Sequence, residues 1–176
     1  GLLYVSRRHW PAGLNTLDDL IYRRQVRSSD PDHIEAIVRS SGFFSEAEIA
    51  IARELVCDRL ERGPESSYQF LFVEDQNGVL GYTCYGLVPA TTGSYDLYWI
   101  AIADTVRGRG LGKILLRQTE TRVAEIGGTA IYAETSSRAQ YDPTRRFYER
   151  CGYVAEAVLK DFYAPGDSKI IYSKAL

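Results

Sequence analysis

Hydrophobic and polar positions along this chain alternate with two different periods, and the changes of period outline its elements. Leu20–Val26, carrying Ile21, Tyr22 and Val26, predicts a short strand. Asp30-Pro31 predicts a helix start, because Asp accepts backbone N–H bonds and Pro is tolerated in a first turn. Ile34, Ile37 and Val38 follow at helical spacing. Ser45-Glu46-Ala47-Glu48 has the form of a capping box. The helix behind it aligns Ile49, Ala52, Leu55, Val56 and Leu60 before Gly63-Pro64 stops it.

The period then falls to two. Tyr68–Glu74 and Val79–Leu87 read as strands joined through Asp75-Gln76-Asn77-Gly78, where an Asn-Gly pair with two positive φ angles predicts a hairpin. Tyr95–Ile102 is nearly continuous in apolar character, as in a strand buried on both faces. Leu111, Leu115, Val123 and Ile126 return to helical spacing, and Gly127-Gly128 ends that helix. Ala130–Ala133 predicts a strand and Thr144–Arg150 a short helix closed by Gly152. Tyr153–Tyr163 and Ile170–Tyr172 predict terminal strands around a turn at Pro165-Gly166-Asp167. No repeat or linker interrupts the series. The expectation is one α/β domain over residues 20–176, preceded by an extension, residues 1–19, that lacks a clear period.

Composition narrows the class without naming it. At 176 residues, 45% apolar and 25% charged, the chain suits one globular core. A net charge of −2 provides no global field toward nucleic acid or an anionic membrane. No apolar run approaches the roughly 20 residues that span a bilayer, and the apolar stretch in Gly1–Val5 is too short for a secretory signal. Cys57, Cys84 and Cys151 are odd in number and widely spaced, and His9 and His33 lie far apart, so neither a disulfide framework nor a metal site is expected. Reduced thiols in a cytoplasmic protein are the expectation.

Candidate chemistry concentrates in Ile102-Ala103-Asp104-Thr105-Val106-Arg107-Gly108-Arg109-Gly110-Leu111-Gly112-Lys113. A buried strand ends, three glycines alternate with larger residues, and an amphipathic helix begins. Glycines let backbone N–H groups approach a ligand, and the first helical turn adds unpaired N–H groups at the positive end of the dipole. Phosphate is the usual occupant of such a nest, and Arg107, Arg109 and Lys113 add counter-charge. A P-loop would need Ser or Thr after the lysine, where Ile114 stands, and a dinucleotide fingerprint would need its third glycine one residue later. The alternative is a tight turn with solvated basic residues. Arg117 and Arg122 extend the basic series, but Glu120 and Glu125 interrupt it, which argues against nucleic acid.

These residues resemble the GNAT superfamily of N-acetyltransferases. Arg107-Gly108-Arg109-Gly110-Leu111-Gly112 matches its pyrophosphate loop, Arg/Gln-x-x-Gly-x-Gly/Ala, and Phe147-Tyr148-Glu149-Arg150-Cys151-Gly152-Tyr153 matches its later Tyr-x-x-x-Gly-aromatic motif. The order of elements agrees over about residues 20–176. The resemblance implies a mostly antiparallel mixed sheet with flanking helices, splayed where Trp99–Ala103 parts from Ala130–Glu134. It also implies acetyl-CoA as co-substrate, without a metal. The loop residues Arg107 to Lys113 would hold the pyrophosphate, and main chain near Ile100, Ile102 and Ala103 would hold the pantetheine arm. Two positions depart from the family: Tyr141 stands where many members have Asn, and Thr144 where they have Ala. Tyr141 would then contact the pantetheine arm or shape the acceptor pocket.

Acyl transfer to an amine requires loss of an amine proton, stabilisation of an oxyanion and protonation of the leaving thiolate. Tyr148 holds the family's tyrosine position and is the expected acid; its other reading is an aromatic that anchors a short helix. A backbone N–H of the splayed strand would serve the oxyanion. Glu134 is the first candidate for base and Asp96 the second. Asp96, Glu134, Asp161 and Asp167 with Trp99, Tyr141 and Tyr163 would form an acidic, aromatic pocket for a cationic amine; scattered surface carboxylates are the alternative. The expected acceptor is a small-molecule or protein amine, and a homodimer is compatible with the chain. A non-catalytic acyl-CoA-binding regulator is the competing reading, though binding alone requires neither Tyr148 nor Glu134.

Overall fold

The structure, a computed structural model, describes residues 19–176. The expected extension, residues 1–19, lies outside the described residues except for Asp19. The elements follow in the expected order: β1 (Ile21–Arg23), α1 (Asp30–Ser40), α2 (Glu46–Arg62), β2 (Gln69–Asp75), β3 (Gly78–Leu87), β4 (Ser94–Ile102), α3 (Leu111–Glu125), β5 (Ala130–Ser136), α4 (Asp142–Arg150), β6 (Val154–Ala164) and β7 (Asp167–Ala175). They build one seven-stranded sheet in the order β1-β2-β3-β4-β5-β7-β6. Every neighbouring pair is antiparallel except β4 and β5.

The two-residue strand period divides the core between the two faces of this sheet. Phe70, Phe72, Tyr82 and Cys84 face α1 and α2, where Ile34, Val38, Ala52 and Val56 close the layer. Leu71, Val73, Tyr85 and Leu97 face the other way, toward Leu111, Leu115, Leu116 and Phe147 of α3 and α4. The near-continuous apolar character of Tyr95–Ile102 likewise serves two faces, with Tyr95, Leu97 and Ile102 in one cluster and Trp99 and Ala101 in the other.

Two local expectations change. Ser45 makes both halves of its capping box with Glu48, as the sequence predicts. Asp30, however, does not cap α1. It is the first helical residue, Ser29 occupies the cap without a side-chain bond, and the Asp30 carboxylate turns to Arg23 at 2.8 and 2.9 Å. At the β2–β3 hairpin only Gly78 has positive φ. The turn consists of Gln76 and Asn77, with the Asp75 carboxylate accepting the N–H groups of Asn77 and Gly78.

Asp30 is fully buried, and Arg23 and Glu74 nearly so. Burial by itself would raise the Asp30 carboxyl, but hydrogen bonds from Arg23 and the Arg27 N–H, with the Arg23 charge, hold it below its ordinary value. Removing one partner strands a buried charge, so Asp30→Ala should cost about 3–5 kcal/mol in denaturant unfolding. Because the folded-state value is the lower one, this stabilisation is present above the unfolded pKa of about 3.9. It is lost as pH falls through the folded value. An unchanged unfolding midpoint would show that the pair does not tie β1 to α1.

Candidate active site

The parallel pair at the centre of the sheet is short. β4 and β5 pair only at Ser94–Ala130, Tyr95–Ile131 and Asp96–Tyr132. Beyond that point β4 runs to Ile102 bonded to β3 alone, and β5 runs to Ser136 bonded to β7 alone. A bulge on β4 marks the parting: Cys84 pairs with Trp99 and Tyr85 with Leu97, so Tyr98 has no partner in the ladder. Bulges bend a strand and end pairing. The edge of β4 past Asp96 therefore faces a gap with unpaired main-chain groups in the stretch that holds Ile100 and Ile102. Ala103, expected to serve with them, has both main-chain groups taken: its N–H donates to the Leu80 carbonyl at 2.7 Å and its carbonyl accepts the Val106 N–H at 3.0 Å.

The glycine-bearing loop follows directly. Asp104–Val106 forms one 3-10 turn, and Gly108 and Gly110 both take left-handed φ, +74° and +79°. Gly110 caps α3 with no side-chain bond, and no acidic residue lies in the first turn of that 15-residue helix. The first main-chain bond of α3 runs from the Ile114 N–H to the Gly110 carbonyl, so the Leu111, Gly112 and Lys113 N–H groups belong to the open turn. The third glycine is inside the helix: Gly112 lies against the Phe147 ring, where a Cβ would meet it at 3.6 Å, an ordinary contact. Arg107 braces the loop, donating from Nε to the Ile102 carbonyl at 3.4 Å and pairing with Asp104 at 3.2 Å. Lys113 is exposed.

Where β4 and β5 part lies a cavity of about 340 Å³, within the range of small-molecule sites. Trp99, Ile100 and the bulged Tyr98 form one wall, Glu134 to Ser136 another, and Tyr141, Thr144 and Tyr148 a third. Phe44 and Glu48, from the turn between the first two helices and from α2, close it, with Arg138, Tyr163 and Asp167 at the remaining side. Tyr148 is 5% exposed and packs on Phe147, Tyr153 and Tyr172. Burial, with a smaller contribution from Cys151, pushes its phenol well above the ordinary value, so it stays protonated through the neutral range. Glu134 forms an ion pair with Lys169 at 3.0 Å. Asp96 lies at the last paired position; burial first and the Glu134 charge second raise its carboxyl, with Lys169 opposing. Asp96 does not line the cavity.

A sequence model of the Acetyltransferase (GNAT) family matches residues 34–153. A GNAT-family protein from Desulfovibrio desulfuricans is 47% identical, with a TM-score of 0.87 over 89% of this chain and 98% of its own. The chain belongs to the GNAT acetyltransferase family. An aminoglycoside 6'-N-acetyltransferase complexed with coenzyme A shares the fold at 18% identity and TM-score 0.69, over 88% of this chain and 96% of its own. A GNAT acetyltransferase from Elizabethkingia anophelis with acetyl-CoA bound does so at 14% and 0.66, over 90% and 99%. Comparison with curated proteins finds no match.

Within this GNAT domain the expected acidic pocket is altered by its partners. Asp167 is buried, accepts a bond from the Ser136 hydroxyl and pairs with Arg138 at 3.2 Å. Asp161 belongs to the β6–β7 hairpin, where its carboxylate accepts the Gly166 N–H, and it does not line the cavity. Trp99, Tyr141 and Tyr163 do line it. Tyr141 contacts the Phe43 ring at 4.8 Å and Phe44 contacts Trp99 at 5.0 Å, so the turn between α1 and α2 is pinned over the site by aromatic edges. Sequence reasoning missed Phe44, Glu48, Tyr98, Thr135, Ser136 and Arg138 as wall residues. Thr144, noted only as a departure from the GNAT pattern, has a buried hydroxyl oxygen without a partner among the described residues. All three cysteines are unpaired, and burial raises Cys84 far from thiolate character. No cluster of metal-ligating side chains occurs among the described residues, and no helix among them is long and apolar enough to cross a membrane.

Proposed function

We propose that this chain transfers an acetyl group from acetyl-CoA to a primary amine by direct attack. The observation that carries the reading is the divergence of β4 and β5 after Asp96. It joins an unpaired strand edge, a helix N-terminus free of acidic groups, and a cavity that Tyr148 and Glu134 both line. The loop from Gly108 to Lys113 receives the pyrophosphate, and the open edge of β4 near Ile100 and Ile102 holds the pantetheine amides. Glu134 accepts the amine proton directly or through water. A β4 main-chain N–H stabilises the oxyanion, and Tyr148 donates to the departing sulfur as coenzyme A leaves. The two relatives solved with coenzyme A and acetyl-CoA support the choice of co-substrate.

Amine-dependent release of free thiol from acetyl-CoA, with the acetylated amine identified by mass, tests this reading. Tight acetyl-CoA binding with no thiol release across a broad panel would favour a binding module instead. Glu134→Gln retains shape but removes the proton acceptor, so the rate at neutral pH should fall by about 10-fold or more. Raising the pH should recover part of it, since more acceptor arrives as free amine. If Glu134 only attracts a cation, KM rises while kcat at saturation holds. A profile overlaying the unsubstituted enzyme in both parameters would remove Glu134 from the reaction.

A further inference from the structure

The cavity contains both signs of charge, and the positive one is the better fixed. Arg138 is clamped at its main chain, where its N–H donates to the Ser136 hydroxyl at 3.1 Å and its carbonyl accepts from Arg145 at 3.1 Å. Its side chain is held as well. Nε pairs with buried Asp167 at 3.2 Å, and the guanidinium lies 5.6 Å from the centre of the Tyr141 ring. Half of the side chain remains exposed. A guanidinium carries five N–H donors in a rigid fork, more than the Asp167 carboxylate consumes. Across the same cavity stands Glu134, paired through one oxygen with Lys169 but half exposed, so that an ammonium can still approach it. Thr144 adds a buried hydroxyl without a hydrogen-bond partner among the described residues.

We propose, resting on the acetyl-transfer reading, that the acceptor is a small zwitterion, an amine that also bears a carboxylate, and that Arg138 recognises the carboxylate. The amine then lies toward Glu134 and the parted strands while the anionic end docks on the pre-set fork. Because Asp167 and the flanking main-chain bonds hold that fork before binding, little order is lost when the ligand arrives.

Matched acceptors read this directly: each α-amino acid against its primary amide, and each ω-amino acid against the alkylamine of equal length. The amide's amine is the less basic of its pair, so a preference for the acid there arises from recognition. The expected result is a preference for carboxylate-bearing members of about 10- to 100-fold in kcat/KM. In Arg138→Ala the ratio falls toward one, and Arg138→Lys, with charge but no fork, retains part of it. Coenzyme A affinity, read by calorimetry, should persist in both variants and shows that they fold. Equal turnover of both members, or a preference that survives Arg138→Ala, overturns the inference and leaves acetyl transfer standing. A loss of coenzyme A affinity in folded Arg138→Ala would also overturn it, by making Arg138 a cofactor contact. If no member of any pair is acetylated while amines outside these pairs are, the inference fails and acetyl transfer stands; if the broad amine panel also gives no thiol release, both fail.

Discussion

Gly110→Asp should leave a folded protein that no longer binds coenzyme A. The fold survives for two reasons. A Cβ at Gly110 meets no atom within 4 Å, and Asp is among the side chains that best tolerate the left-handed conformation found there. A carboxylate is also favourable at a helix N-terminus, where it accepts N–H bonds from the first turn and faces the positive end of the dipole. Those same N–H groups are the ones a pyrophosphate would use. The new carboxylate would therefore occupy the phosphate's donors and repel its charge, and affinity should fall by at least about 100-fold. Gly110→Asn separates the two effects, since it matches the backbone strain and shape without the charge and should lose less. Calorimetry showing unchanged affinity in folded Gly110→Asp would remove the loop from the cofactor site.

Tyr148→Phe should lower kcat by roughly 10- to 1000-fold while coenzyme A affinity stays within a few-fold. The ring contacts with Phe147, Tyr153 and Tyr172 survive the change, so only the donor is lost. The raised phenol has a chemical consequence. A thiol ordinarily titrates near about 8.5, so complete proton transfer from this tyrosine to a thiolate would run uphill. Most of the effect then comes from the hydrogen bond donated to sulfur as charge develops, and the rate should show no falling limb from Tyr148 in the neutral range. A variant with near-full kcat in a chemistry-limited assay would return Tyr148 to a packing role.

Element order was legible because the changes of period are sharp and the stops are chemical: Gly63-Pro64, Gly127-Gly128 and Gly152 end helices where they were expected to. The shape of the loop was legible because glycines beside a helix start mark a sharp turn, and Gly108 and Gly110 do take left-handed φ there, while Gly112 lies within α3. The parting of β4 from β5 is not written in the hydrophobic period of either strand: the resemblance implied a splay between Trp99–Ala103 and Ala130–Glu134, and pairing ends at Asp96 and Tyr132. The bulge at Tyr98 depends on register with β3, which periodicity does not carry. Long-range pairing hid the charges for the same reason. Glu134 read as a bare carboxylate until Lys169 came beside it, and Asp167 as a pocket acid until it met Arg138. Arg138 itself stands in a short aperiodic turn, where one cation resembles any solvated surface charge.

The proposed reaction requires acetyl-CoA to lie along the open edge of β4 and end on the first turn of α3. Hydrogen–deuterium exchange with and without acetyl-CoA measures this at the main chain itself. Exchange should slow across residues 97–103 and 108–113, where strand-edge and helix N–H groups acquire ligand acceptors, while the β6–β7 hairpin stays unchanged. Slowed exchange confined to another surface, with both of those stretches unaffected, would contradict it.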